Sequence, residues 1–345
     1  MRCLHHVDAD GYGAAAIVRY ELTDPFDTVL PEHFVEYDHD GTITVDEGKF
    51  FNTDKPGYLY VVDLALDQVI FDFIKKCVYH GMMIVHIDHH ASGRKFLEEI
   101  LSDEDRLWYK EHVNYFFNMQ FSGCMLTWLY ACMTETERAH PMSVGFDFTE
   151  DLSQVAFNPD GNVRIHGIPA AVRFIDDNDV WRHSLEDSKY FAAAWGIQEN
   201  KNPLNLEFWN ALLYEGPRKT YDMVEEGKLI FKFMESQSKS VMNNAFEVTI
   251  GDYKGIAVNC PFGNSRLFGD AYNEYDFVIK YSQAGSDTWK YTMYSRDGGV
   301  NCAELIMKEF PNCGGGHAHA GGFTLTENIF NKEVYGGESP HAYFF

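Results

Sequence analysis

Two compact apolar runs constrain this chain most. Tyr58–Val62 follows the turn signal Pro56-Gly57 and runs straight into Asp63. Met82–Ile87 follows Gly81 and runs straight into Asp88-His89-His90. Apolar runs of this length, without polar alternation, read as strands buried on both faces. Residues 67 to 80 between them read as a helix. Strands alternating with helices imply a parallel sheet with crossover helices. In such a sheet, ligands gather beyond the carboxyl ends of the strands. The residues that end these strands are therefore candidates for chemistry.

A third group of the same kind lies near the N-terminus. His6-Val7-Asp8-Ala9-Asp10-Gly11 follows a short stretch, residues 1 to 7, that is compatible with a strand. In an extended segment His6, Asp8 and Asp10 fall on one side. An Ala-rich helix over residues 13 to 22 comes next. Taken singly, Asp63 reads as a helix cap, a lone His as a packed or surface residue, and the Asp8/Asp10 pair as a solvated turn. Together they place acids and imidazoles at three strand ends. Two divalent cations about 3.5–4 Å apart need that mixture of bridging and terminal carboxylates with imidazole. The donors suit manganese or magnesium, since no cysteine is among them.

The rest of the chain divides in two. Its 345 residues exceed the usual span of one core. Ser122 is placed to cap a helix with Leu126, Leu129, Tyr130 and Met133 on one side. Residues 218 to 244 contain no proline and one glycine, and read as a connecting helix. Strands are expected at Ala245–Ile250, Gly255–Val258, Phe277–Tyr281 and Trp289–Tyr294, then a helix from Cys302 to Phe310. Residues 331 to 345 lack a pattern and read as a tail. The expected organisation is a metal-binding domain at 1–217, the helix at 218–244, a smaller domain at 245–330, and the tail.

These residues resemble motifs I, II and III of the DHH phosphoesterase superfamily: His6-x-Asp8-x-Asp10-Gly11, Asp63 and Asp88-His89-His90. The fourth motif of that superfamily is a further Asp. Phe174-Ile175-Asp176-Asp177-Asn178-Asp179-Val180-Trp181 is similar to its D-x-D-x-W form, which favours Asp177 over Asp176 and Asp179. The stretch Gly314-Gly315-Gly316-His317-Ala318-His319-Ala320-Gly321-Gly322 resembles the signature of the accompanying DHHA1 domain. Either His5 or His6 fits the first position, with His6 preferred.

The resemblance implies an α/β protein: an N-terminal parallel-sheet DHH domain with flanking helices, then a smaller C-terminal α/β DHHA1-like domain. It implies a hydrolase in which Asp63 bridges two cations, manganese or magnesium. His6 and Asp8 would hold one cation; Asp10, His89 and Asp177 the other. His89, Asp63 and His90 are the expected catalytic residues, with His90 against the scissile phosphate. Arg296, Gly315, Gly316 and His317 would grip the rest of the substrate. Glycines let backbone N–H groups approach an anion closely.

Charge narrows the substrate. Against 28 Lys and Arg stand 52 Asp and Glu, a formal net charge of −24. Long nucleic acid must be met by many cations, so processive binding is disfavoured. Short oligonucleotides or linear dinucleotides, as taken by oligoribonuclease and nano-RNase-like members, are the expected substrates. A phosphatase of a small nucleotide such as 3′-phosphoadenosine 5′-phosphate, or a non-catalytic nucleotide-binding module, are the alternatives. Seven cysteines without a C-x-x-C, and an N-terminus unlike a signal peptide, point to a reduced cytoplasmic setting. No apolar run suggests a membrane span, and a homodimer is compatible with all of this.

Overall fold

The computed structural model describes residues 1–24, 28–39, 41–51, 57–150, 152–157, 163–296, 298–311, 313–316 and 318–330. The chain forms two compact units, Met1–Ile230 and Phe231–Phe345. The division falls inside the helix Arg218–Met242, the segment expected to connect two domains.

The first unit is built on five strands: β1 (Arg2–His5), β2 (Phe34–Glu36), β3 (Tyr58–Val62), β4 (Met83–Asp88) and β5 (Val113–Phe117). Their order is β2-β1-β3-β4-β5 and every pairing is parallel. Successive residues of each strand serve opposite faces. On one side Cys3, Tyr60, Val62, Val85 and Ile87 pack with the helices Ala9–Glu21 and Gly123–Cys132. On the other, Leu4, Leu59, Val61 and Ile84 pack with the helix Gln68–Tyr79. This two-sided burial is why β3 carries an unbroken apolar run and β4 one interrupted by buried His86, whose ring nitrogens meet Tyr109 Oη at 2.6 Å and the Leu64 carbonyl at 2.8 Å. The helix Gly123–Cys132 is buried all round rather than along one stripe, because its residues 123 to 130 are all buried.

Strand order reverses between β1 and β3: the chain leaves β1 for β2 on one side and returns to β3 on the other. A crevice opens at such a switch point, beyond the carboxyl ends of the strands. β1, β3 and β4 end at His5, Val62 and Asp88, so all three motif segments meet there.

An antiparallel meander, β6 (Phe146–Phe148), β7 (Gln154–Phe157) and β8 (Arg164–Gly167), adds a second sheet. Residues 140 to 165 show no strand pattern in the sequence; Asn158-Pro159-Asp160-Gly161, which reads as a turn, lies outside the described residues. Further helices run over Asp103–His112, Ala170–Asp179, Ser188–Trp195 and Leu206–Leu213.

The second unit is a six-stranded mixed sheet, ordered β13-β14-β12-β11-β10-β9. Its strands are β9 (Phe246–Ile250), β10 (Tyr253–Asn259), β11 (Phe277–Gln283), β12 (Trp289–Tyr294), β13 (Gly314–Gly316) and β14 (Ala320–Leu325). The helix Cys302–Glu309 covers one face through Leu305 and Ile306, against Phe277, Ile279, Tyr291 and Met293. The chain is thus α/β, with a parallel N-terminal sheet and a separate C-terminal sheet domain. Among the described residues no helix is long and apolar enough to cross a membrane.

Candidate metal centre

The motif I residues reach the site by a helix start, not by an extended run. Asp8 is the N-cap of the helix Ala9–Glu21 and accepts a hydrogen bond from Gly11 N at 2.9 Å. Asp10 already lies in the first helical turn, where an acid is favoured by the helix dipole. Gly11 sits where any Cβ would stand 2.4 Å from the His6 carbonyl oxygen, so only glycine lets the chain turn this tightly. Of the two adjacent histidines, His6 enters the cluster. His5 is buried, with its Nδ1 2.8 Å from the His6 carbonyl oxygen and its ring beside Tyr12.

Three groups of ligand-type atoms come together: His6, Asp8 and Asp63; Asp10, His89 and Asp179; and Asp63, His89 and His90. Asp63 joins them. Its Oδ1 lies 3.2 Å from His89 Nε2, and its Oδ2 lies 3.8 Å from His6 Nδ1. His6 Nδ1 is also 3.1 Å from Asp8 Oδ2. His89 Nε2 lies 3.8 Å from Asp10 Oδ2 and 3.4 Å from Asp179 Oδ2. Asp63 adopts a left-handed backbone, φ 55°, directly after β3. Strain of this kind collects at functional sites.

The fourth-motif position differs from the expectation. Asp177 is turned away from the cluster. Its Oδ1 accepts from Ser184 N and Ser184 Oγ, and its Oδ2 from Ser188 Oγ at 2.6 Å. Asp179 stands with Asp10 and His89 instead. The reason is helical geometry. Residues 176 and 179 of the helix Ala170–Asp179 share a face, whereas adjacent residues do not. Asp176, on the cluster side, is committed to Ser122 N at 2.8 Å and to Arg182 at 2.6 Å. Reading 170 to 179 as a helix would have separated the three acids.

Two further participants, Gly123 and Asp38, carried no sequence signal of their own. Asp10 accepts from Gly123 N at 2.6 Å and Cys124 N at 2.8 Å, so the start of the helix Gly123–Cys132 holds the carboxylate in place. A Cβ on Gly123 would lie 2.6 Å from Asp63 Cβ and 3.0 Å from Asp10 Oδ2. Fully buried Asp88 accepts from His90 Nδ1 at 2.7 Å, which fixes the ring. Asp38, just past β2, lies 3.1 Å from His6 Nε2.

The electrostatics follow from four gathered carboxylates. Burial, then the charges of Asp10, Asp8 and Asp179, hold the Asp63 carboxyl well above its ordinary range. Burial, then Asp10, Asp8 and Asp176, do the same to Asp179. Asp63 Oδ2 is buried without a hydrogen-bond donor. Burial lowers His89. His90 is raised, because the hydrogen bond and charge of Asp88 outweigh burial. The neighbouring guanidinium of Arg182 is bound to Asp176, so it leaves the cluster's own charge uncompensated. Buried carboxylates with an orphaned oxygen and two imidazoles fit a divalent cation: a bound cation would satisfy that oxygen and reverse the repulsion.

In the second unit Arg296 is exposed just past β12. Gly315 and Gly316 lie in β13, an edge strand paired to β14, and not in a free loop. Gly316, at φ 148°, would place a Cβ 2.4 Å from Gly321, so strand approach itself requires it. The space beside Gly315 is open. His317 lies outside the described residues.

No family model matches this chain, and no curated protein matches it in sequence. Solved structures do. One, described as the DHH domain of a member of a ribosomal-protein family, has a TM-score of 0.53 at 16% identity, covering 96% of this chain and 84% of that one. An exopolyphosphatase-related protein from Bacteroides fragilis has a TM-score of 0.46 at 13% identity, covering 96% and 87%. A pGpG-specific phosphodiesterase from Vibrio cholerae has a TM-score of 0.42 at 13% identity, covering 94% and 92%. The first likeness shows the fold, a DHH-type architecture.

Proposed function

We propose that this protein, which has the DHH-type fold, is a metal-dependent phosphoesterase that hydrolyses phosphodiester bonds of short oligonucleotides or linear dinucleotides. The observation that carries the reading is the placement of Asp63, whose two oxygens face two different ligand groups. A carboxylate so placed is what a two-cation centre requires. His6 and Asp8 would hold one cation. Asp10, His89 and Asp179 would hold the other, with Asp179 in the role first given to Asp177. Bound manganese or magnesium would supply a polarised phosphoryl oxygen and an acidified water.

The chain's own groups support that chemistry. Asp10 is fixed by two backbone N–H groups and cannot swing away when a substrate arrives. His90 is tied through Nδ1 to Asp88, leaving Nε2 to meet a phosphate oxygen or the leaving oxygen. The Asp88 carboxylate behind Nδ1 would support a positive charge on the ring as Nε2 donates. Arg296, Gly315, Gly316 and His317 of the second unit would bind a phosphate or nucleoside. The net charge of −24 supports a short substrate over a long one.

The test is product analysis on labelled RNA and DNA of two to ten nucleotides, with manganese and with magnesium. Metal-dependent release of mononucleotides, fastest from the shortest members, is expected. Hydrolysis of 3′-phosphoadenosine 5′-phosphate in preference to a dinucleotide would overturn the substrate class. No hydrolysis of either would overturn the enzymatic reading.

A further inference from the structure

The three imidazoles of the cluster differ in which nitrogen they turn inward. His89 points Nε2 at Asp63, Asp10 and Asp179. His90 gives Nδ1 to Asp88 at 2.7 Å. His6 turns Nδ1 inward, 3.1 Å from Asp8 Oδ2 and 3.8 Å from Asp63 Oδ2. Its Nε2 points outward and lies 3.1 Å from Asp38 Oδ1. A neutral imidazole carries one proton, so a carboxylate that accepts it at one nitrogen leaves the other nitrogen bare. Asp38 therefore bears on which nitrogen of His6 can take a cation.

The Asp38 side chain is 60% exposed. An exposed ion pair on a free loop is worth little, because ordering the loop offsets the gain. This loop is not free. Glu36, at the end of β2, accepts from Tyr12 Oη of the helix Ala9–Glu21 at 2.8 Å. Tyr37 N donates to the His5 carbonyl at 2.9 Å, which carries the β1–β2 pairing one residue further, and the Tyr37 side chain is buried. His39 has its Nδ1 3.0 Å from Asp67 Oδ2. Asp67 is itself the N-cap of the helix Gln68–Tyr79 and accepts from Ile70 N at 2.8 Å. Residues 36, 37 and 39 are thus tied to three different elements. The residue between them presents its carboxylate to His6 from a backbone that is already ordered.

We infer that Asp38 is a positioning residue of the metal centre: by accepting the Nε2 proton of His6 it holds the ring with Nδ1 toward Asp8 and Asp63, so that His6 takes its cation through Nδ1. This rests on the two-cation reading and adds to it a residue outside the ligand groups. A carboxylate behind a ligating imidazole fixes its tautomer and orientation and raises its basicity. The segment after β2 thereby becomes part of the centre without supplying a ligand.

The test is manganese titration calorimetry on the full-length protein, comparing wild type, Asp38→Ala, Asp38→Asn, His6→Ala and the double variant His6→Ala/Asp38→Ala. Nitrogen NMR of the histidine side chains in the wild type, loaded with diamagnetic zinc, accompanies it. Asp38→Ala should weaken manganese binding about 10–100-fold without lowering the metal-free melting temperature. Asp38→Asn loses the same charge but keeps an acceptor, and should retain most of the affinity. In the His6→Ala background the loss from Asp38→Ala should disappear, because Asp38 acts through that ring. The NMR should show His6 protonated at Nε2 and bare of a proton at Nδ1. A loss of the same size in the His6→Ala background would mark Asp38 as a long-range charge and overturn the inference. So would equal losses in Asp38→Asn and Asp38→Ala, an affinity for Asp38→Ala within about twofold of wild type, or a His6 proton on Nδ1. Should His6→Ala bind too little manganese to titrate, the position of that proton decides alone. Binding as expected without phosphodiester hydrolysis would leave Asp38 its role and remove the enzymatic reading. A wild type that binds no manganese would remove the centre and the inference together.

Discussion

Asp63 and Asp179 show how single carboxylates can be set against the stability of the fold that holds them. Both keep their protons to higher pH in the folded protein than in the unfolded chain. Where the folded state binds more protons, stability falls as pH rises. Asp176 acts in the same direction, from its ordinary 3.8 up to about 6. Raised His6 and His90 extend the trend upward. Lowered His5, His86, His89, Asp8 and Asp88 act the other way, so the sign is read against a variant: metal-free wild type should lose thermal stability with rising pH relative to Asp63→Asn. Melting curves of both proteins in chelator across a pH series check this; a difference between them that does not change with pH contradicts it. The same scale separates two neighbouring acids. Asp179→Ala should weaken manganese binding at least tenfold while sparing the metal-free melt. Asp177→Ala should cost about 1–3 kcal/mol of stability, because it strands the buried partners of its carboxylate, and should leave manganese affinity nearly intact. Titration calorimetry with thermal denaturation distinguishes them.

Among the elements, the helix Gly123–Cys132 does more for the site than its sequence reveals. Its first N–H groups hold Asp10, and its first residue must be glycine because two site carboxylates lie against it. Gly123→Ala should shift Asp10 and Asp63 together. It should destabilise the protein by about 1–3 kcal/mol, the usual range for overpacking, and weaken manganese binding in the same variant. A crystal structure or melting curve indistinguishable from wild type would refute the assignment. Strands β3 and β12 and the helices Gln68–Tyr79 and Arg218–Met242 were legible in sequence within a residue or two, because burial or length gave each a clear pattern. β2 has three residues, too few to set a period. β5 follows a helix without a break, so no turn residue announces it. β13 is three glycines, and glycines read as a turn until a paired strand is seen beside them.

Across the whole molecule the two compact units predict a division of labour. Manganese at about 100 times its dissociation constant should stabilise its own unit by about 2.7 kcal/mol. Arg296→Ala, in the other unit, should leave that shift unchanged and raise KM for a dinucleotide. Loss of the manganese shift in Arg296→Ala would contradict independent roles. Sequence alone determined the alternation of strand and helix, the three motif segments at strand ends and the acidic surface, since each is a local pattern of residue types. Only the tertiary structure decided that Asp179 and not Asp177 faces the cluster, that His6 and not His5 does, and that Gly123 and Asp38 border it. Those choices depend on which way a helix is rotated and what lies across a crevice, and neither is recorded in the order of residues along the chain.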